Sequence, residues 1–420
     1  MIRSFFFLFF LTLLAACDTA SNIKRPDKNY FLKYFGGEGN QVAKDLIVNP
    51  DGTFFILGNS TQTTSSNTKV YMAKVDAFGN VIKQVTYGTF PMDAKDFELT
   101  SDGRLAVVAN RKSATNDVLL SRFSLDLNLI DSAVLSVGPK SYSNSLTELK
   151  DGGFIIEGYQ GDTIQAIEMH LRVDKSLQNF AGPGGWTSTS KAVASTVYAG
   201  VKTIQQNATT FYTFGYTNAF YTSINKKFWA YSFGYNGTPI NNGDLSVFES
   251  AGGPADKIVT CAIKAAVGGY LLVGITNPLS NFSLKASITS QDTTFSFLAS
   301  GVFQDKILLS NLGQGPNPYA TAFSSTSYNF ILANTYNGTA SSNSDIILLK
   351  VGNDLKSFWK NPDGTTSFAQ FGGSGEDTAA AVAELPDGHI LVLGTMQLGN
   401  PAEQFKMVLM KLNANGQLQD

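Results

Sequence analysis

Cysteine is nearly absent from this 420-residue chain, which has only Cys17 and Cys261. Two cysteines cannot build a disulfide framework, so stability must come from packing. Histidine also occurs only twice, as His170 and His389, so neither a histidine-based metal centre nor a Ser-His-Asp triad can be assembled from the sequence. Charged residues make up 15% of the chain and the net charge is -2, against about 25% charged residues in average soluble domains. Without a basic footprint, nucleic acid is excluded as a partner. Past the first residues, no segment is apolar enough to cross a membrane.

What remains is rich in Asn, Ser, Thr and Gly, with 31 Phe and 16 Tyr, as expected of a β-protein with long polar loops. The chain opens with Arg3 and an apolar run from Phe5 to Leu14, too short to span a bilayer and read as a secretion signal. Residues 1–17 are therefore a leader and residues 18–29, polar and containing Pro26, a flexible tether. Leu14-Ala15-Ala16-Cys17 resembles the bacterial lipoprotein lipobox. The resemblance implies that Cys17 becomes a lipidated first residue, with two or more acyl chains anchoring the protein stably to a membrane. The expected address is the bacterial cell envelope, at the outer membrane. Cys261 lies in the alternating stretch IVTCAIKAA and reads as an inert buried thiol.

Residues 36–58 (GGEGNQVAKDLIVNPDGTFFILG) and 372–394 (GGSGEDTAAAVAELPDGHILVLG) agree at nine of 23 positions. The phrase recurs as a turn plus an apolar strand starting at Asp51, Asp102, Asp151, Asn207, Val267, Ser327 and Asp387, at spacings of 49 to 60 residues. That is the range of propeller blades. A second apolar strand follows each copy, as in VYMAKVD, VLLSRFS, IEMHLRV and MVLMKLN. With a strand before the turn and another after the second hairpin, each copy has four antiparallel strands. Runs such as YLLVG and ILVLG are apolar throughout because neighbouring blades cover both faces. The expected fold is all-β, a seven-bladed β-propeller of four-stranded antiparallel blades over residues 30–420. YFLKYF, residues 30–35, sits where the last copy lacks its outermost strand, and pairing it there would close the ring.

The pattern is similar to the quinoprotein-like and SBBP-type β-propeller repeats of bacterial exported proteins. There a Gly-rich entry with Asp, a Gly-ended strand, a Lys-Leu-Asp-like strand and a Gly turn recur. The likeness implies the fold and little about function. Copy four departs most, lacking the Asp-Gly turn and carrying Ser232 where the others have a basic residue.

Lys74, Arg122, Arg172, Lys285, Lys350 and Lys411 share one place in six copies. A basic ring for an anion is one reading, but a residue repeated in every blade is more economically part of the blade. Asn40, Asp256 and Asp377 follow the Gly-rich entries; a cation ring is weighed against turn capping, and capping is preferred. The sialidase Asp-box is absent, and three Trp are too few for the repeated tryptophans of pyrroloquinoline-quinone dehydrogenases. No catalytic residue, metal ligand or cofactor is assigned.

Loops after the second strand are long, as in 59–69, 217–227, 334–345 and 395–406, and they share a face with the connections between copies. That face should carry Phe90, Trp186, Phe220, Tyr221, Tyr319 and Tyr336, the candidate ligand-binding residues. Aromatics among neutral hydrogen-bonding groups suit sugar rings or a protein partner. The alternative for any one of these rings is that it plugs the channel mouth or folds its own loop down. The leading expectation is a non-catalytic binding or scaffold lipoprotein contacting a protein or glycan; the alternative is a polysaccharide hydrolase or lyase.

Overall fold

The computed structural model describes residues 30–63, 67–113, 116–135, 140–161, 166–179, 197–217, 227–235, 237, 240, 246–248, 256–266, 269–277, 282–289, 303–312, 320–336, 344–353, 357–360, 362, 367–399 and 404–419. They form an all-β chain of seven antiparallel sheets, here sheets I to VII in chain order. The first strands of the sheets are Asn40–Val48, Met92–Leu99, Ser141–Glu148, Tyr198–Gln205, Asp256–Lys264, Ala320–Ser324 and Thr378–Glu384. Sheet III has three described strands and the others four. Within sheets I to VI the strands follow sequence order. In sheet VII the outermost position belongs to Phe31–Phe35, which pairs antiparallel with Gln404–Leu412, Phe31 opposite Lys411 and Phe35 opposite Met407.

The apolar second strands are buried on both faces. In Phe54–Thr61, Phe54 and Ile56 join a core with Leu391, Leu393, Met407 and Leu409 of sheet VII. Phe55 and Leu57 turn the other way, onto Phe97, Leu105 and Val107 of sheet II. The same division recurs at the later junctions. The period-2 alternation of a strand thus distributes successive side chains to two neighbouring sheets instead of to core and water. Full burial of each such side chain stabilises by about 1.5–3 kcal/mol.

The repeated basic residue is structural. Arg122 donates from Nε to Asp131 Oδ1 at 2.9 Å and reaches Lys175 O of the next sheet at 2.8 Å. Arg172 bonds Asp151 at 2.9 Å and lies 3.7 Å over the Tyr235 ring of sheet IV. Lys350 sits 3.6 Å over Tyr328, and Lys74 and Lys411 face Asp126 and Asp387. The side chain of Lys285 lies outside the described residues.

Candidate functional site

The first strands of all seven sheets line one cavity of about 760 Å³. Six of them carry a β-bulge at the same place, between Ala43 and Asp45, Ala94 and Asp96, Ser143 and Ser145, Gly200 and Lys202, Val259 and Cys261, and Ala379 and Ala381. A bulge sets two residues against one and re-aims the side chains beside it. Consecutive residues therefore both reach the cavity: Lys44 and Asp45, Lys95 and Asp96, Asn144 and Ser145, Val201 and Lys202. Sheets V to VII contribute Val259, Cys261, Ala322 and Ala379–Val382 instead, so one half of the wall is charged and the other small and largely apolar.

Two charge clusters occupy the charged half. Lys202 Nζ donates to Leu146 O at 2.6 Å and Asp96 Oδ2 at 2.9 Å, with Glu98 Oε1 at 3.4 Å. Burial acts to strip the proton from Lys202, but the Asp96 and Glu98 carboxylates outweigh it and hold the ammonium well above its ordinary pKa. Burial, then the neighbouring Asp96, push Asp45 well above the usual carboxyl range, although Leu46 N donates to its Oδ1 at 2.8 Å. The hydrogen bond between Asp45 and Asp96 adds to that upward shift. In the second cluster, Asp93 takes Lys44 at 3.2 Å, Lys95 at 2.8 Å and Asn59 Nδ2 at 2.7 Å. Burial would raise Asp93, but the two lysines draw it far below the carboxylate range. Lys44 is lowered, first by burial and further by Lys95 and Lys112.

In sheets I, II, VI and VII the residue after the phrase-ending Gly or Ala forms a clasp to the next sheet. Asn59 Oδ1 accepts from Ala94 N at 2.9 Å, Asn110 Oδ1 from Ser143 N at 2.7 Å, and Asn334 Oδ1 from Ala379 N at 2.5 Å. Thr395 Oγ1 accepts from Ala43 N at 2.9 Å, joining sheet VII to sheet I. At this position sheets III and IV have Tyr159 and Tyr216, both half-buried and both lining the cavity. Tyr159 stacks on Tyr142 with ring centroids 5.1 Å apart. Burial, then the charge of Tyr142 and of Asp93, raise Tyr159, and burial and Tyr159 push Tyr216 up to about 12. Both phenols stay neutral donors beside the lysine-rich rim.

Behind this wall lies a buried trio from sheet III. His170 Nδ1 is 2.6 Å from Glu157 Oε2 and its Nε2 is 2.8 Å from Glu168 Oε1, all three side chains being at most 2% exposed. Burial disfavours the imidazolium, but Glu157 and Glu168 push His170 up to about 10. Among the described residues, this is the one group of three or more His, Cys, Asp or Glu whose donor atoms lie close enough to hold a metal ion. The sequence reading assembled no histidine site, because Glu157 reaches His170 only across the strand pair, although Glu168 stands two residues before it on the same strand.

Of the aromatics expected to bind ligand, Phe90 is exposed, with the Arg111 guanidinium 5.3 Å over its ring. Tyr336 ends the strand Tyr328–Tyr336, opposite Ser344, instead of standing in a loop. Trp186, Phe220, Tyr221 and Tyr319 lie outside the described residues, as does Cys17. Asp377 caps, accepting from Gly373 N at 2.9 Å and Gln397 N at 3.0 Å, and Asn40 accepts from Phe405 N at 3.1 Å. The side chain of Asp256 lies outside the described residues. Cys261 is half-buried against the cavity, its thiol pushed up by burial. Tyr159 and Tyr216 were missed, although the signal was present: Asn, Asn, Tyr, Tyr, Ile, Asn and Thr follow the seven strand-ending small residues.

No family model matches the chain, and no curated protein matches it. Among solved structures it is similar to a polysaccharide lyase described as a PL25 ulvan lyase, at 9% identity, TM-score 0.55, covering 92% of this chain and 97% of that one. The same description bound to -[GlcA(1-4)Rha3S]- matches at 9% identity and TM-score 0.55, over 92% and 96%. The β-propeller domain of the Trilobed protease from Pyrococcus furiosus matches at 8% identity and TM-score 0.43, over 93% and 98%. At 9% identity the likeness to the ulvan lyase is one of fold alone, that of an all-β chain of repeated antiparallel sheets.

Proposed function

We propose that the chain is a glycan-binding protein of the bacterial envelope, held on the membrane by lipid on Cys17, whose ligand enters the central cavity. In this reading the seven sheets are the blades of a ring closed by Phe31–Phe35. The observation that carries it is the exchange of clasp residues for Tyr159 and Tyr216 at two adjacent sheets, across a cavity whose other charged wall presents Lys44 and Lys95. Aromatic faces stack on sugar rings and neutral phenols donate to hydroxyls. The lysine pair shares one carboxylate, which leaves positive charge for an acidic sugar. Titration with oligomers of a polyuronate, a sulfated galactan and a neutral glucan tests this. The acidic oligomers should bind, and a Tyr159→Ser, Tyr216→Ser double variant should bind roughly tenfold or more weakly, given what aromatic contacts contribute. No binding of any glycan ends the reading.

A second reading, cleavage of polysaccharide, is favoured by one observation: Asp45 and Asp96 stand together on the cavity wall, a carboxyl pair in which burial and the neighbouring Asp96 raise Asp45, as suits an acid that protonates a leaving oxygen. The structural likeness to polysaccharide lyases fits the same reading. Release of reducing ends that disappears in Asp45→Asn would establish it; unchanged substrate chains would leave binding alone. The anchor has its own test: Cys17→Ala should move the protein from the membrane to the soluble fraction, and a variant still sedimenting after a salt wash would refute it.

A further inference from the structure

The buried trio in sheet III stands at positions that are apolar in all six other sheets. Glu157 occupies the place of Leu57, Val108, Phe214, Val273, Leu332 and Leu393, one residue before the strand-ending Gly or Ala. His170, its partner across the strand pair, replaces Met72, Leu120, Ala230, Ala286, Leu348 and Leu409. Glu168, opposite Tyr159, replaces Val70, Val118, Phe228, Leu284, Ile346 and Met407. Three ionisable groups in a dry junction cost stability that well-packed apolar residues do not. All three departures fall in one sheet and converge on one point, so the chain has built something there that its sister sheets lack.

We propose that Glu157 and His170 bind a divalent cation between sheets III and IV, with Glu168 as the outer partner that orients the imidazole. The donors are in place. Around Glu157 Oε2 lie His170 Nδ1 at 2.6 Å, Thr203 Oγ1 at 2.6 Å and Thr213 Oγ1 at 3.3 Å, the two threonines coming from sheet IV. Glu157 Oε1 is buried with no hydrogen-bond partner among the described residues. It fills the space beside Gly200, where an added Cβ would fall 1.6 Å from it. Glu168 on Nε2 is the carboxylate–histidine arrangement that fixes a metal-binding imidazole. One nitrogen with carboxylate and hydroxyl oxygens suits a first-row ion such as Zn²⁺ or Mn²⁺ over Ca²⁺. The ion would pin sheet III to sheet IV directly behind Tyr159.

The full-length protein, stripped with chelator, is titrated with Zn²⁺ and with Mn²⁺. One ion should bind per chain, and the melting temperature should rise with ion concentration. Glu157→Gln should abolish both effects. Because that variant also disturbs the buried hydrogen bonds that Glu157 Oε2 makes to His170 and Thr203, a second one, E157L/E168V/H170M, copies the residues of sheet I and should fold while ignoring both ions. If neither ion binds the unmodified protein and chelator leaves its melting temperature unchanged, the trio is a purely ionic bridge and the proposal is wrong.

Discussion

Asn110 shows how much one side chain does at a junction of sheets. Its Oδ1 accepts from Ser143 N and Oγ, both at 2.7 Å, and its Nδ2 donates to Ser143 O at 3.1 Å. Asn110→Ala orphans buried groups on sheet III, which should cost about 1–3 kcal/mol, more than the loss of a solvated bond. Chemical denaturation reads this as a lower midpoint at unchanged slope, and an unchanged midpoint would mean that water replaces the clasp. Asp45 acts through pH. Its pKa is higher folded than unfolded, first by burial and then by Asp96, so the folded state holds more protons between the two values. Stability from this group is complete below the unfolded carboxyl pKa and is lost as pH rises through the folded one. Asp45→Asn should flatten that fall and raise the melting temperature at neutral pH; a steeper fall would place the proton elsewhere. Neither role was legible in advance. Asn59, Asn110 and Asn334 were visible as residues after a small one, but a clasp depends on which amide the next sheet presents. The Asp45–Asp96 contact depends on bulges that leave no mark in sequence periodicity.

At the level of elements, far more could be read. The Asp-Gly turns, the apolar runs and the strands carrying the basic residue all appear as expected, because each is encoded by local chemistry: φ > 0 at Gly52, Gly103, Gly152 and Gly388, and burial on two faces. The strand Phe31–Phe35 was legible only as a remainder, from a phrase that began without its usual predecessor. Its pairing with Gln404–Leu412 covers an edge, and Phe35 is buried among Met407, Leu409 and Tyr71. Removing residues 30–35 should therefore lower the melting temperature by many degrees, while removing residues 18–29 should leave it unchanged. Equal melting temperatures for the two truncations would show that the strand contributes nothing to sheet VII. What local chemistry could not supply was the charged cluster in sheet III. Glu157 sits inside the run FIIEG and reads as one polar residue in an apolar strand until Glu168 and His170 are brought beside it.

At the scale of the whole molecule, the question is whether seven sheets behave as a stack or as a ring. A stack of repeats has two ends, and its terminal units open more easily than its middle because each lacks one neighbour. Here the last sheet packs on the first: Leu391, Leu393 and Met407 share a core with Phe54 and Ile56, and Thr395 accepts from Ala43 N. If the seven sheets form the closed ring proposed above, it has no terminal unit. Native-state hydrogen exchange should then give the amides of Phe54–Thr61 in sheet I and Ile390–Leu398 in sheet VII the same opening free energy as those of Phe154–Gly161 in sheet III. In Thr395→Val, which removes the acceptor at the closing junction and leaves the buried Ala43 N–H unpaired, sheets I and VII should become the first to exchange, by about 1–3 kcal/mol. If sheets I and VII already exchange first in the unmodified protein, the junction between them is weaker than its packing indicates and the closed ring is refuted. If the variant instead lowers protection equally in all seven sheets, the molecule opens only as a whole, and the cavity and its tyrosines are held by a single cooperative unit.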